Sequence, residues 1–140
     1  MNNRIVLAGV AVLAIAFAGY RFFLSGGEEA SERHGAPLVN VTVPALSGDA
    51  AEGKSLFDAN CATCHGESAA GKDGYGPPLI HPIYRPGHHA DASFYMAAQN
   101  GARSHHWTFG DMPPVEGVDR ADVGKIIAYV RTLQQANGVN

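Results

Sequence analysis

The sequence predicts an all-α domain of about three to four short helices, preceded by a separate apolar helix at the N-terminus. Three observations carry this expectation. Apolar residues recur at helical spacing behind capping residues near both ends of the second half of the chain. The one alternating run, "LVNVTV" from Leu38 to Val43, has no partner with which to make a sheet. Between the helical segments lie long stretches rich in Gly, Pro and His, which argue against an ordinary hydrophobic core and for something else filling the centre.

The 140 residues have room for one domain. Residues 1–24 stand apart from it. After Met1–Arg4 comes an apolar run from Ile5 to Leu24, broken only by Gly9, Gly19 and Arg21. Twenty helical residues rise about 30 Å, the thickness of a bilayer's hydrocarbon, and Tyr20 to Phe23 suit its interface. The expectation is a transmembrane anchor; the alternative is a cleaved secretory signal with small residues at Ala16-Phe17-Ala18. Either carries the rest of the chain across a membrane. Residues 25–46, rich at first in Gly, Ser and Glu, are expected to form a solvated linker that lies partly on the domain.

The domain itself is expected over 47–140. Ser47 or Asp49 can cap a first helix, "AAEGKSLFDANC", with Glu52 in its first turn and Gly53 one turn before Phe57. A mid-helix glycine costs about 1 kcal/mol against alanine and marks close approach by another element. A second helix is expected at "ADASFYMAAQNG", begun near Asp91 or Ser93 and closed by Asn100-Gly101. Met96 is expected to pack as core within it. The last helix, "DRADVGKIIAYVRTLQQANG", has Asp119 as cap, Val123, Ile126, Ile127, Val130 and Leu133 at helical spacing, and Gly138 as a stop. Its bulky face, with Tyr129, would cross the first helix closely at Gly53. From Asp49 onward seven basic residues face ten acidic ones. A mildly acidic domain without a basic stripe is a poor nucleic-acid binder, so no nucleic-acid partner is expected.

The chemistry concentrates at Cys61-Ala62-Thr63-Cys64-His65, which holds the chain's two cysteines. A disulfide over two intervening residues is strained and leaves His65 unused. A structural zinc site wants four ligands, and no second cysteine pair exists. A thioredoxin-type pair expects a preceding strand, where a helix is expected here. A C-x-x-C-H haem attachment uses all three residues: two thioethers to the vinyl groups and an imidazole to the iron.

On these residues the region from about Ser47 to Leu133 resembles a small class I c-type cytochrome, monohaem and membrane-anchored. Gly53 and Phe57 resemble the pair that packs against an aromatic of the closing helix, here Tyr129; "GPPL", Gly76 to Leu79, resembles the turn after the attachment motif; and "FGDMPPV" resembles the methionine loop. The resemblance implies a small cytochrome c-like fold around one covalently attached haem c. It also implies that Cys61 and Cys64 carry the haem, that His65 is an axial ligand, and that the Pro77 carbonyl accepts the His65 ring N–H.

For the sixth iron ligand the candidates are Met112, Met96, His105, His106 or an open site. Met112 is favoured, because Pro113 and Pro114 hold it extended and stiffen the exit. Pro77, Leu79, Tyr84, Arg85 and Trp107 are candidates for the haem pocket, and Tyr84, Arg85 and Trp107, with Tyr75 and Arg103, for partners of the propionates. The pairs His88-His89 and His105-His106, with His34 and His81, are expected to be solvated, with surface copper or zinc as the alternative.

A histidine–methionine iron with no free position exchanges one electron rather than activating oxygen. The expected function is therefore a non-enzymatic electron carrier, passing electrons between redox proteins at the periplasmic face of the inner membrane, with a soluble periplasmic form if the N-terminus is cleaved. The alternatives are a haem enzyme or sensor with an open distal site, and a redox subunit of a copper-handling system.

Overall fold

In the computed structural model, residues 13–23 and 34–140 are described. The chain divides into two compact units, Met1–His34 and Gly35–Asn140. In the first, helix α1 is described over 13–23 and leaves Leu13, Ile15, Phe17, Tyr20, Phe22 and Phe23 exposed. Much of the expected 20-residue span, together with residues 25–33 of the expected linker, lies outside the described residues. Among those described, no helix is long and apolar enough to cross a membrane, so the expected transmembrane span finds no support there.

The second unit is built from α2 (Gly48–Asn60), the single turn α3 (Ala62–His65), α4 (Asp91–Asn100) and α5 (Arg120–Ala136), with 3-10 turns at Glu67–Ala69 and Pro82–Tyr84. No strand forms among the described residues; only isolated bridges pair Lys72 with Gly76 and Ala102 with Met112. The helices stand where the periodicity places them. The capping differs in one case. Ser47 is the N-cap of α2 but its hydroxyl makes no capping bond, whereas Asp119 caps α5 in a full capping box, accepting from Asp122 N at 2.9 Å while Asp122 accepts from Asp119 N at 3.4 Å.

The α2/α5 crossing organises the unit. A Cβ on Gly53 would lie 1.9 Å from the Lys125 carbonyl oxygen, so only glycine lets the two backbones meet there. One turn on, Phe57 and Tyr129 pack fully buried with ring centroids 5.5 Å apart and planes tilted by 59°. Ile126, Val130 and Leu133 of α5, with Ala69, Leu79, Ile80 and Val139, complete the apolar cluster. A small core is therefore present, contrary to its expected absence, but it is one-sided. Residues 81–122 contribute no buried residue to it.

The compact unit takes in residues 35–46. The alternating run lies on the domain without forming a strand: Leu38 N and Val39 N both donate to Ala70 O at 3.1 Å, and Thr42 and Asn137 exchange two hydrogen bonds of 2.8 Å. Val39, Val41 and Leu46 pack against the core as they pass. Met96, expected inside, is 63% exposed. It lies within the helical register of α4, but on the face away from Phe94, which packs on the core.

Polar contacts tie the loops to α5. Gln134, the one buried polar side chain among the described residues, donates to Leu79 O at 2.8 Å and to Tyr84 O at 3.0 Å. Arg131 reaches Asp91 Oδ1 and Tyr84 O at 2.8 Å each, and His89 O and Gln134 Oε1 at 2.6 Å each. One guanidinium thereby fixes the start of α4 and the 82–89 segment to the last helix.

Candidate functional site

The sequence Cys61–His65 folds as a corner. Cys61 ends α2, its N–H donating to Phe57 O at 2.8 Å, and at the same time opens α3, its carbonyl accepting from His65 N at 2.9 Å. Both thiols are free, with Cys64 exposed and Cys61 half-buried. Burial, and secondarily the neighbouring Cys64, pushes the Cys61 thiol up to about 11, so it stays protonated at neutral pH.

His65 is held by its far nitrogen. Nδ1 lies 2.9 Å from the Pro77 carbonyl oxygen, and a carbonyl can only accept, so Nδ1 carries the proton and donates it. Desolvation lowers the ring's pKa and the bond to Pro77 raises it in part; the net shift is downward. The result is a neutral imidazole of fixed tautomer with the Nε2 lone pair unprotonated, the form that ligates a metal. Close packing fixes the turn that supplies Pro77. A Cβ on Gly76 would lie 2.7 Å from the Cys64 carbonyl oxygen, and one on Gly66 would lie 2.2 Å from Gly71 O.

Met112 sits in the second loop. Its backbone pairs with Ala102 through hydrogen bonds of 2.8 and 2.9 Å, and Val115 N donates to Ala98 O at 2.8 Å. Gly101 makes this possible: at φ +76° it ends α4, and a Cβ there would lie 2.4 Å from Met112 O. Ser104 N donates to Asp111 Oδ1 at 2.8 Å, closing the loop between. The methionine is thus anchored by backbone on a glycine-shaped ledge, its side chain half-buried.

The remaining predicted pocket residues separate. Trp107 packs edge-on to His81 at 5.2 Å and stacks on Phe109 at 6.0 Å. Its indole N–H is buried without a well-formed hydrogen bond, although it stands near enough to Tyr84 to offset part of the upward push that burial gives that phenol. Leu79 belongs to the apolar core. Arg85 is exposed and turns back to Pro82 O at 3.1 Å, Arg103 is exposed, and Tyr75 is exposed beneath the Lys72 ammonium, 4.3 Å from its ring centroid.

The residues present fit a covalent haem. Two free thiols and an unprotonated imidazole nitrogen share one helical turn, and a buried indole donor awaits an acceptor. Sequence reasoning did not single out Arg131 and Gln134, whose partners lie on distant loops. It also missed how far the histidines converge: His88, His89 and His106 bring one ring nitrogen each within 4.8 Å of one another.

Comparison with known proteins agrees with the geometry. The family described as "Cytochrome c" matches residues 50–134. The chain is similar to cytochrome c-554(547) of Halothiobacillus neapolitanus, 28% identical over 93 residues that cover 63% of this chain and all of that protein. It is also similar to a cytochrome c-553-like protein of Synechocystis, 58% identical over 38 residues, which are 26% of this chain and 33% of that one. No solved structure matches.

Proposed function

The chain belongs to the cytochrome c family, and from that premise we propose that it is a membrane-tethered one-electron carrier rather than an enzyme. Membership implies a covalent c-type haem, and Cys61 and Cys64 fit its attachment. When bound, that group supplies a reversible ferric–ferrous couple. The chain's residues do the rest. Cys61 and Cys64 would hold the group through thioethers, and His65 Nε2 would ligate its iron. The Pro77 carbonyl keeps that ring from swivelling and makes it more basic. The Met112 thioether would supply the other protein ligand, which would favour the reduced state relative to two imidazoles. The Trp107 indole N–H would be available to a propionate.

The observation that carries this reading is the bond between His65 Nδ1 and Pro77 O on the attachment turn. The test is potentiometric titration of the purified holoprotein with spectra of both oxidation states. A single one-electron wave is expected, with the charge-transfer band of sulfur-ligated ferric iron in the wild type and its loss in Met112→Ala. A wild type without that band that binds added carbon monoxide sinks the reading, in favour of a haem enzyme or sensor.

The same proposal takes residues 1–24 as the tether, with the haem domain at the periplasmic face of the inner membrane. The apolar run from Ile5 to Leu24 supports it. Tethering raises the effective concentration of the carrier near membrane-bound redox partners without new contacts. Carbonate washing of membranes checks this: a tethered chain stays in the pellet, and a cleaved one is recovered soluble, starting downstream of Ala18.

A further inference from the structure

The histidines expected to be solvated are gathered from two loops into one cluster. His88 and His89 follow the Pro82–Tyr84 turn, and His105 and His106 lie in the loop before Met112. His88 Nε2 and His106 Nε2 stand 3.4 Å apart. The rings of His89 and His106 have centroids 5.3 Å apart, and those of His105 and His106 4.2 Å. When protonated, clustered imidazoles repel one another; when neutral, they gain one long hydrogen bond between His88 Nε2 and His106 Nε2, whereas a shared metal ion would bind all three rings.

Their orientation goes beyond chance proximity. His89 Nδ1 donates to Ile83 O and His105 Nδ1 donates to Arg103 O, each at 2.7 Å. Both rings are thereby fixed in the tautomer that leaves Nε2 with its lone pair, the arrangement that outer partners impose on metal-binding histidines. The backbone beneath is equally constrained. His88 N and His89 N both donate to Arg85 O at 2.9 Å, and the buried face of Arg131 grips His89 O at 2.6 Å. His88 Nε2 and His106 Nε2, 3.4 Å apart, are close enough for one ion to bind both.

We propose that His88, His89 and His106, with His105 alongside, form a surface site for one divalent transition-metal ion, copper(II) in first place and zinc(II) behind it. Imidazole suits both ions, and at a given nitrogen site the order of affinities across the first-row divalent metals places copper above zinc. The proposal does not depend on the electron-carrier reading, because none of the four histidines belongs to the attachment turn.

The test uses the full-length holoprotein, in which the cysteine thiols are consumed, after chelator treatment. Copper(II) chloride and zinc(II) chloride are titrated separately by calorimetry, and the copper form is examined by electron paramagnetic resonance. One equivalent of copper beyond the haem iron, nitrogen hyperfine structure and weaker zinc binding are expected. His106→Gln and His88→Gln should each weaken copper binding by about tenfold or more, and His34→Ala should leave it unchanged. The haem spectrum of each variant reports whether the domain has kept its fold. Copper affinity in both Gln variants within about twofold of the wild type, no binding in the wild type, or a loss on His34→Ala equal to theirs overturns the site.

Discussion

Replacing Gly53 by alanine tests the α2/α5 crossing directly. The added Cβ would lie 1.9 Å from Lys125 O and 2.4 Å from Lys125 C. Both are backbone atoms in the middle of a 17-residue helix and cannot rotate aside. Restoring ordinary contact, which begins at 3.4 Å, requires the helices to part by about 1.5 Å. That separation also loosens Phe57 against Tyr129, a buried aromatic pair worth about 0.5–1.5 kcal/mol beyond its area. Overpacking of this kind costs about 3 kcal/mol, and the better helix propensity of alanine returns about 1. The expected net loss is about 2 kcal/mol, or roughly 8–16 °C in Tm for a domain of this size. Gly124→Ala is the matched control, with the same propensity gain. Its Cβ meets only the Tyr95 hydroxyl, the far end of a side chain, at 3.1 Å. Reversible denaturant unfolding of both holoproteins, followed by circular dichroism, compares them. Equal stability of the Gly53 and Gly124 variants would refute the close-approach argument.

Other outcomes follow from single contacts. Asp119→Ala removes the capping bond that the Asp119 carboxylate accepts from Asp122 N and should cost about 1 kcal/mol in the same assay, with Asp119→Asn retaining most of it. Arg131→Ala leaves the His89 carbonyl without its donor and the Tyr84 carbonyl with Gln134 alone; discounting the exposed Asp91 partner, about 2 kcal/mol should be lost, and Arg131→Lys should rescue only part. Gly76→Ala drives a Cβ to 2.7 Å from Cys64 O and disturbs the attachment turn, so the ratio of haem absorbance to protein in the purified material should fall several-fold relative to the wild type.

Legibility in the sequence followed locality. The attachment turn, Asp119 as a cap and the buried stripe of α5 are encoded within a few residues of one another, and they read cleanly. Gly53 was legible because a glycine inside a helix needs a reason, and Lys125 O supplies it. What failed was non-local. The 35–46 segment was expected as the end of a linker lying partly on the domain, but the partners that hold it there, Ala70 and Asn137, lie far off in sequence and could not be named from it. Met96 carried helical periodicity without the phase that says which way the face points. Arg131 and Gln134 drew no notice in the sequence, because only the path of the 79–89 segment gives them their partners. The histidine pairs were visible as pairs, but their convergence depends on two loops whose course the sequence does not state.

The clasp between Thr42 and Asn137 has a mechanical consequence. Asn137 also donates to Leu133 O at 2.8 Å, so the amide is braced against the end of α5. Tension entering the folded unit at Gly35 would meet first the bonds of Gly35 and Ala36 to Asp73 and of Leu38 and Val39 to Ala70, and only then the Thr42–Asn137 clasp. Ala70 and Asp73 flank Gly71, whose N–H donates to His65 O at 2.7 Å. A carrier tugged from its N-terminal side would therefore feel the load beside the cofactor's cradle before it reached the seam with the last helix.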